Sequence, residues 1–342
     1  MSQHALQPLL APQSIVVFTG QDRHSPILHS VLRALSYGGR RSVTSLLGIE
    51  PDESVGVLPF ERIQSISSLS KTPDLAILVG EDPRPLTKII EFCGEHSIPA
   101  LLVFTGSQEN PEAILKASRQ FNVRLIGPNS FGMCRPKQGF SAWLGLTQPI
   151  PGRLALLSQS GTVASALVDW ATWQGIGFSQ VVSMGSPIDV MPSQVLDYLS
   201  NDFESQSILM YLQKIGSTTR FLSSLRAASR SKPVAVVTEH NVGADPRVLD
   251  AALSRTGAVR GRRLNDLVAA ASVMTNARRV KDGSLMIIGN GAGPGELAAQ
   301  RASEVNVNLL TPNDELRSKL EGIMAGRGSV GSVTTAWASC EA

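Results

Sequence analysis

Leu154-Ala-Leu-Leu-Ser-Gln-Ser-Gly-Thr162 is the stretch that is most informative about the fold. Leu154 to Leu157 form an apolar strand, and the chain then turns directly into a helix over Ala164 to Trp173. A strand that passes straight into a helix is typical of a parallel sheet covered by helices. The turn itself contains Ser158, Ser160, Gly161 and Thr162.

This turn is also a candidate anion site. Small hydroxyl residues and a glycine at a helix N-terminus bring several donors and the positive end of the helix dipole to one point. An N-cap without a ligand would use the same residue types, but two hydroxyls and a glycine exceed what one cap requires. We therefore expect Ser158, Ser160, Gly161 and Thr162 to bind phosphate.

The same alternation of short apolar runs and helical periodicity extends in both directions, so the sequence predicts an α/β fold. Glycine and proline at 147–152 separate a first domain, 1–146, from a second, 153–280. A third unit, 283–324, is shorter than a typical domain, and the Gly-, Ser- and Thr-rich residues 325–342 predict a disordered tail. The predicted strands are Ser14 to Phe18, Val43 to Leu47, Leu75 to Val79, Ala100 to Phe104, Arg124 to Ile126, Leu154 to Leu157, Phe178 to Ser183, Ile208 to Leu212, Val234 to Thr238 and Ser284 to Ile288.

Composition excludes several classes of protein. With 342 residues, 42% of them hydrophobic and 17% charged, the chain can bury substantial cores. No apolar run reaches the ~18 residues of a membrane span, and no leader pattern precedes the first strand, so we expect a cytoplasmic protein without membrane contact. A net charge of +3 does not indicate nucleic acid, and three separated cysteines predict buried thiols and no metal site.

Ligands of an open parallel sheet bind beyond the carboxyl ends of its strands, so the loops there are the next candidates. Gly20 to Ser25 follow the first strand and precede a helix, but the loop lacks a GxGxxG pattern. Gly127-Pro-Asn-Ser-Phe-Gly132 follows the fifth strand and would project Asn129 and Ser130 at the ligand edge, although a plain turn also uses such residues.

Five segments in this order resemble the nucleoside-diphosphate-forming acyl-CoA synthetases: 73–79, 127–132, 157–162, 183–189 and 197–202. The resemblance is greatest to the ADP-forming acetyl-CoA synthetases and to the synthetase-like region of Pat-type protein lysine acetyltransferases. It implies a Rossmann-like CoA-binding domain, a flavodoxin-like succinyl-CoA synthetase-type domain and a partial third unit. By the same resemblance, the residues expected to line a site for CoA or acetyl-CoA are Gly20, Gln21, Ser25, Val79, Gly80, Pro128, Asn129 and Ser130.

Catalysis in that family passes through a phosphohistidine assisted by a glutamate. His240 is the candidate histidine here, but it lacks the family's Ser-His-Thr-Gly setting, and Gln213 occupies the place of the glutamate. Because glutamine cannot accept a proton as a carboxylate does, the sequence predicts a CoA- or acyl-CoA-binding protein without ligase activity.

Other functions stay open. The chain could be the α-like subunit of an ADP-forming acyl-CoA synthetase that works with a separate ATP-grasp β subunit. It could also be a truncated Pat-like chain, in which case exposed apolar surface predicts self-association. An NAD(P)-dependent dehydrogenase ranks last because the glycine fingerprint is absent.

Overall fold

The structure is a computed structural model that describes residues 5–22, 24–37, 44–48, 60–80, 82, 84–239, 246–276, 283–324, 328–331 and 333–336. It divides into two compact units, Met1–Ala277 and Arg278–Ala342. No helix within these ranges is long and apolar enough to span a membrane.

The first sheet of the larger unit has six parallel strands. They are β1 (Ile15–Phe18), β2 (Thr44–Leu47), β3 (Glu61–Ile63), β4 (Leu75–Leu78), β5 (Ala100–Val103) and β6 (Arg124–Ile126). Their spatial order, β3-β2-β1-β4-β5-β6, is that of a Rossmann sheet. Its helices are α1 (Gln7–Leu10), α2 (Pro26–Tyr37), α3 (Leu86–Glu95) and α4 (Pro111–Phe121). The Rossmann-like prediction is confirmed.

The second sheet has seven strands, of which the first two form a hairpin. They are β7 (Gly132–Arg135), β8 (Phe140–Trp143), β9 (Pro151–Ser158), β10 (Phe178–Ser183), β11 (Ser207–Leu212), β12 (Val234–Thr238) and β13 (Val259–Gly261). They lie in the order β13-β12-β11-β9-β10-β7-β8. The five parallel strands β9 to β13 follow the flavodoxin order, as predicted. The helices of this sheet are α5 (Gly161–Trp173), α6 (Pro192–Asn201), α7 (Thr218–Ser231), α8 (Pro246–Ser254) and α9 (Leu264–Asn276).

The hairpin changes the predicted domain boundary. β7 pairs antiparallel with β10, so residues 132–143 belong to the second sheet although they precede residue 146. One apolar core also joins the two sheets, since Val17 of β1 and Ala155 of β9 lie in the same buried cluster. The boundary near 146 therefore separates neither the sheets nor their core.

The two described cysteines lie in the larger unit. Cys93 on α3 and Cys134 on β7 are fully buried, and burial raises the pKa of each thiol to about 12. The prediction of buried thiols is confirmed for these two residues.

The smaller unit is a three-stranded sheet with two helices. Its elements are β14 (Ile287–Gly289), α10 (Ala292–Glu304), α11 (Asp314–Met324), β15 (Gly328–Ser329) and β16 (Val333–Ala336). The strand order is β14-β16-β15. The prediction of a disordered tail is therefore wrong for 328–329 and 333–336. β16 pairs with β14 and β15 pairs with β16, and this pairing supplies backbone hydrogen bonds that sequence periodicity did not reveal.

Candidate functional site

Strand order reverses between β1 and β4, and a parallel sheet binds ligands at such a switch point. A cleft of about 1000 Å³ lies there, which we call the switch-point cleft. It brings together predicted residues from three loops: Ser25 after β1, Val79 and Gly80 after β4, and Asn129 after β6. Gln21 is exposed and does not line this cleft.

Glycine lets the two central loops approach each other. A Cβ on Gly80 would lie 2.6 Å from the Thr19 carbonyl oxygen and 3.0 Å from Gly20 Cα. Gly20 itself has a φ of 67°, which only glycine adopts freely. These glycines thus let the loops after β1 and β4 pack closely together, and Gly20 itself does not line the cleft.

Helix α3 begins at the cleft, and its N-terminus already has a carboxylate partner. Glu109 accepts hydrogen bonds from the backbone N–H groups of Leu86 and Thr87 and, at 2.8 Å, from Thr87 Oγ1. These contacts satisfy donors that the first turn of a helix leaves unpaired. The loop 105–109 was not identified from the sequence.

Arg84 supplies a cation to the same cleft. Its guanidinium forms two hydrogen bonds with Asp82, at 2.9 and 2.8 Å, and lies over the ring of Phe92. The bonded Arg84 lowers the pKa of the Asp82 carboxyl and is itself held in one orientation. Its side chain remains 45% exposed and can reach a bound anion.

Asn129 and Ser130 are adjacent but differ in role. Asn129 has a left-handed backbone with a φ of 58° and lines the cleft. Ser130 is 2% exposed, and its hydroxyl donates to the Ser183 carbonyl and accepts from Gly132 N–H, at 2.6 and 3.0 Å. The Ser130 hydroxyl therefore connects the two sheets and is not directed at the cleft, so its contact with CoA stays a prediction.

A second cavity, of about 580 Å³, lies between α4 and the loops of the second sheet, and we call it the inter-sheet cavity. It shares Ser107, Glu109 and Asn129 with the switch-point cleft, and Pro128 also lines it. The two cavities are therefore neighbours.

The switch point of the second sheet, between β9 and β11, lies at the inter-sheet cavity. Gln159, after β9, is 5% exposed. Its Oε1 accepts from the N–H groups of Gln213 and Lys214 at 2.6 and 2.7 Å, and its Nε2 donates to the Lys214 carbonyl at 2.9 Å. Gln159 thus fixes the loop after β11. It lies inside the stretch quoted first, between two serines chosen for their hydroxyls, and sequence reasoning missed it.

A carboxylate stands beside Gln213. Glu239, the residue after β12, accepts from Gln213 Nε2 at 2.8 Å and from the Tyr211 hydroxyl at 2.9 Å. Partial burial and this hydrogen bond raise the pKa of Tyr211 to about 12. Glu239 was missed because only the folded strands bring it to the glutamine. His240 follows it directly but lies outside the described residues.

In the predicted phosphate loop, the serine hydroxyl groups form hydrogen bonds with other groups of the same loop and of α5. Ser158 Oγ donates to the Ser160 carbonyl at 2.7 Å, and Ser160 Oγ accepts from Val163 N–H at 3.3 Å as the N-cap of α5. Thr162 Oγ1 lies 3.0 Å from Ser160 Oγ, and a Cβ on Gly161 would lie 2.6 Å from Phe131 Cβ. None of the four residues lines either cavity, so phosphate binding by this loop stays a prediction.

Residues 151–274 match the succinyl-CoA ligase-like flavodoxin domain. The chain is 24% identical over 339 residues to the alpha subunit of acetate–CoA ligase (ADP-forming) I from Pyrococcus furiosus, covering 92% of this chain and 72% of that subunit. It is 26% identical over 349 residues to 4-hydroxybutyrate–CoA ligase (ADP-forming) from Nitrosopumilus maritimus, covering 94% of this chain and 49% of that enzyme. The chain thus spans about half the length of the latter relative.

Two solved structures have the same fold. Acetyl-coenzyme A synthetase 1 of Candidatus Korarchaeum cryptofilum, solved with phosphate and ADP, superimposes with a TM-score of 0.86 at 20% identity, covering 98% of this chain and 76% of that one. ATP citrate lyase from Methanothrix soehngenii, solved with citrate and coenzyme A, gives 0.59 at 12% identity, covering 90% and 56%. The resemblance to Pat-type acetyltransferases stays a prediction.

Proposed function

We propose that this chain, which belongs to the nucleoside-diphosphate-forming acyl-CoA synthetase family, binds coenzyme A in the switch-point cleft and serves as the α-like component of an ADP-forming acyl-CoA synthetase. The observation that carries the proposal is that the cavities at the switch points of the two sheets are neighbours. The cleft of the first sheet and the inter-sheet cavity, lined by loops of the second, share Ser107, Glu109 and Asn129. A cofactor held in one could therefore present its reactive end in the other.

The residues of the cleft fit coenzyme A. About 1000 Å³ is at the upper end of the usual range for ligand pockets, as an extended cofactor requires. Arg84, whose side chain is 45% exposed, would pair with its phosphates. When bound, coenzyme A supplies a thiol that accepts the acyl group. Ser25 and Asn129, which both line the cleft, would contact the cofactor.

Two observations favour the synthetase over a binding protein without ligase activity. The Pyrococcus relative is an alpha subunit of an ADP-forming ligase, which supports a separate ATP-grasp subunit as partner. Glu239, hydrogen-bonded to Gln213, also provides a carboxylate beside the position where glutamine alone was expected. A carboxylate there can stabilise a neighbouring cation, which an amide does not.

We predict that coenzyme A binds the chain with a micromolar Kd and that Asn129→Gly weakens binding at least tenfold. Glycine accepts the left-handed backbone of Asn129, so the change removes the side chain without straining the loop. Isothermal titration with coenzyme A, and with NAD as a comparison ligand, measures both values. Asn122→Gly is the matched control, because Asn122 has a similar φ of 54° and lines neither cavity. Equal affinities of the Asn129 variant and the wild type would exclude Asn129 from the site, and tight NAD binding would contradict the proposal.

For the proposed ligase reaction, we predict that phosphate is transferred from ATP to the chain when an ATP-grasp subunit is supplied. His240→Asn should abolish the label, because an amide cannot accept the phosphoryl group as an imidazole does. His96→Asn, at the C-terminus of α3, serves as the control and should keep the label. Acid-stable label, or label retained in His240→Asn, would count against a phosphohistidine and favour the binding protein.

A further inference from the structure

Three arginines line a third cavity, which the proposed function does not use. It has a volume of about 390 Å³, within the usual range for ligand pockets, and we call it the arginine cavity. Arg119 comes from the last turn of α4, Arg124 is the first residue of β6, and Arg220 lies in the first turn of α7. The first two belong to the first sheet and its helices, and the third belongs to the second, so both layers contribute positive charge to this cavity.

One carboxylate balances part of this charge. Asp189 accepts two hydrogen bonds from the Arg124 guanidinium, at 2.8 and 3.4 Å, and one from Leu125 N–H at 3.0 Å. It is the single acidic residue among the described residues that line the cavity. Within the part of the chain that the structure describes, Arg119 and Arg220 form no hydrogen bond or ion pair through their side chains. Three arginines against one aspartate therefore leave two positive charges uncompensated.

Arg220 occupies a position at which helices favour negative charge. The positive end of the helix dipole attracts acidic residues to a first turn, yet the first turn of α7 contains none and carries this arginine. The side chain of Ser217, the N-cap, forms no capping hydrogen bond with the backbone of that turn. An anion bound beside Arg220 would therefore interact favourably with the guanidinium and with the helix end together.

We infer that the arginine cavity binds a small multivalent oxyanion, either a diphosphate or a di- or tricarboxylate. Guanidinium groups bind both kinds of oxyanion through paired, charge-assisted hydrogen bonds. A monovalent anion would balance only one of the two uncompensated charges, so the site favours an anion with at least two.

The bound anion would connect α4 with α7, because Arg119 and Arg220 would contact it from these two helices. The arginine cavity adjoins the inter-sheet cavity through Leu115, Ile188 and Met191. It shares no lining residue with the switch-point cleft, so this inference does not depend on coenzyme A binding there.

The test is isothermal titration of the full chain with pyrophosphate, with citrate and, as a monovalent comparison, with acetate, all at the same ionic strength. Pyrophosphate or citrate should bind about tenfold or more tightly than acetate, because charge-assisted hydrogen bonds to two guanidinium groups add. The tighter of the two shows whether the ligand is a phosphate or a carboxylate compound. In Arg119→Gln and in Arg220→Gln, that anion should bind roughly fivefold or more weakly, and in the double variant no more tightly than acetate. Both arginines are exposed, so these changes leave the packing of the core unaltered.

Arg226→Gln is the matched control, because Arg226 is exposed on the same helix, α7, and does not line the cavity. It should retain the affinity of the wild type, as should Arg84→Gln in the switch-point cleft. An equal loss in Arg226→Gln would show that the anion responds only to the overall charge of the chain. A loss confined to Arg84→Gln would place the anion in the switch-point cleft, and equal affinity for all three anions would exclude a multivalent site. Each of these three results would overturn the inference and leave the proposed coenzyme A site unaffected.

Discussion

Replacing Arg135 with alanine is expected to lower the free energy of unfolding by about 3–5 kcal/mol. Arg135 is 3% exposed and forms ion pairs with Asp202 at 2.7 Å and Glu204 at 3.1 Å. It also donates to the Tyr198 hydroxyl at 2.7 Å. Alanine would remove the ion-pair partner of the Asp202 carboxylate, which is 8% exposed, and leave it with the Ser205 hydroxyl and the nearby Lys232. A buried carboxylate that loses its paired guanidinium is costly.

The groups around Arg135 change the pKa of its guanidinium in opposite directions. Burial lowers the pKa of its guanidinium, but Tyr198, Asp202 and Glu204 outweigh this and raise the pKa overall. Urea denaturation followed by circular dichroism measures the loss. Lys88→Ala is the control, because the Lys88–Glu91 pair is exposed and should contribute nothing measurable. A loss below about 1 kcal/mol for Arg135→Ala would show that water reaches Asp202 once the guanidinium is removed.

Gly185→Ala is expected to cost about 2–4 kcal/mol and to weaken coenzyme A binding, because two backbone effects add. Gly185 has a φ of 61°, a conformation that disfavours a Cβ. A Cβ there would also overlap the Pro128 carbonyl and lie 2.5 Å from the Asn129 carbonyl oxygen. The Pro128 carbonyl already accepts from Ser186 N–H at 2.8 Å, so the two loops cannot separate without losing this bond.

Gly216→Ala separates these two effects. Gly216 has a φ of 72°, and the nearest atom to a Cβ on it would be Met191 Sδ at 3.6 Å. It should therefore cost only the about 1–2 kcal/mol of the left-handed backbone. Urea unfolding of both variants, with titration of coenzyme A, gives the comparison. Equal losses in the two variants would mean that the contact between the loops contributes nothing.

The sequence predicted most of the parallel strands because they are buried on both faces and consist of continuous apolar runs, as in Val234–Thr238. It missed six short strands, which are Glu61–Ile63, Gly132–Arg135, Phe140–Trp143, Val259–Gly261, Gly328–Ser329 and Val333–Ala336. Glu61–Ile63 begins with two charged residues, and Gly132–Arg135 and Phe140–Trp143 lie in a region that resembles a turn. The hairpin formed by the last two joins the sheet through β10, a strand distant in sequence, where Val181 pairs with Cys134 and Ser183 with Gly132.

The sequence predicted which loops form the site but not the contacts of every side chain in them. Topology alone brings Ser25, Val79, Gly80 and Asn129 to one edge of the sheet, so their loops could be named from strand order. The hydrogen-bond partners of these residues could not be predicted from strand order. Whether a serine hydroxyl faces a ligand, as proposed for Ser130, or a neighbouring carbonyl, as observed, depends on contacts across sheets. Glu239 reaches Gln213 for the same reason.

The β7–β8 hairpin also bears on how such a protein can change by recombination. Its residues precede the linker, yet they form the edge of the second sheet. A crossover in the linker at 147–150 would join β9 and β10 to a hairpin from a different ancestor, and β10 would meet an unmatched neighbour. Residues 1–277 are therefore expected to be inherited as one cassette, whereas exchange of segments at the boundary near 278 would leave both sheets intact.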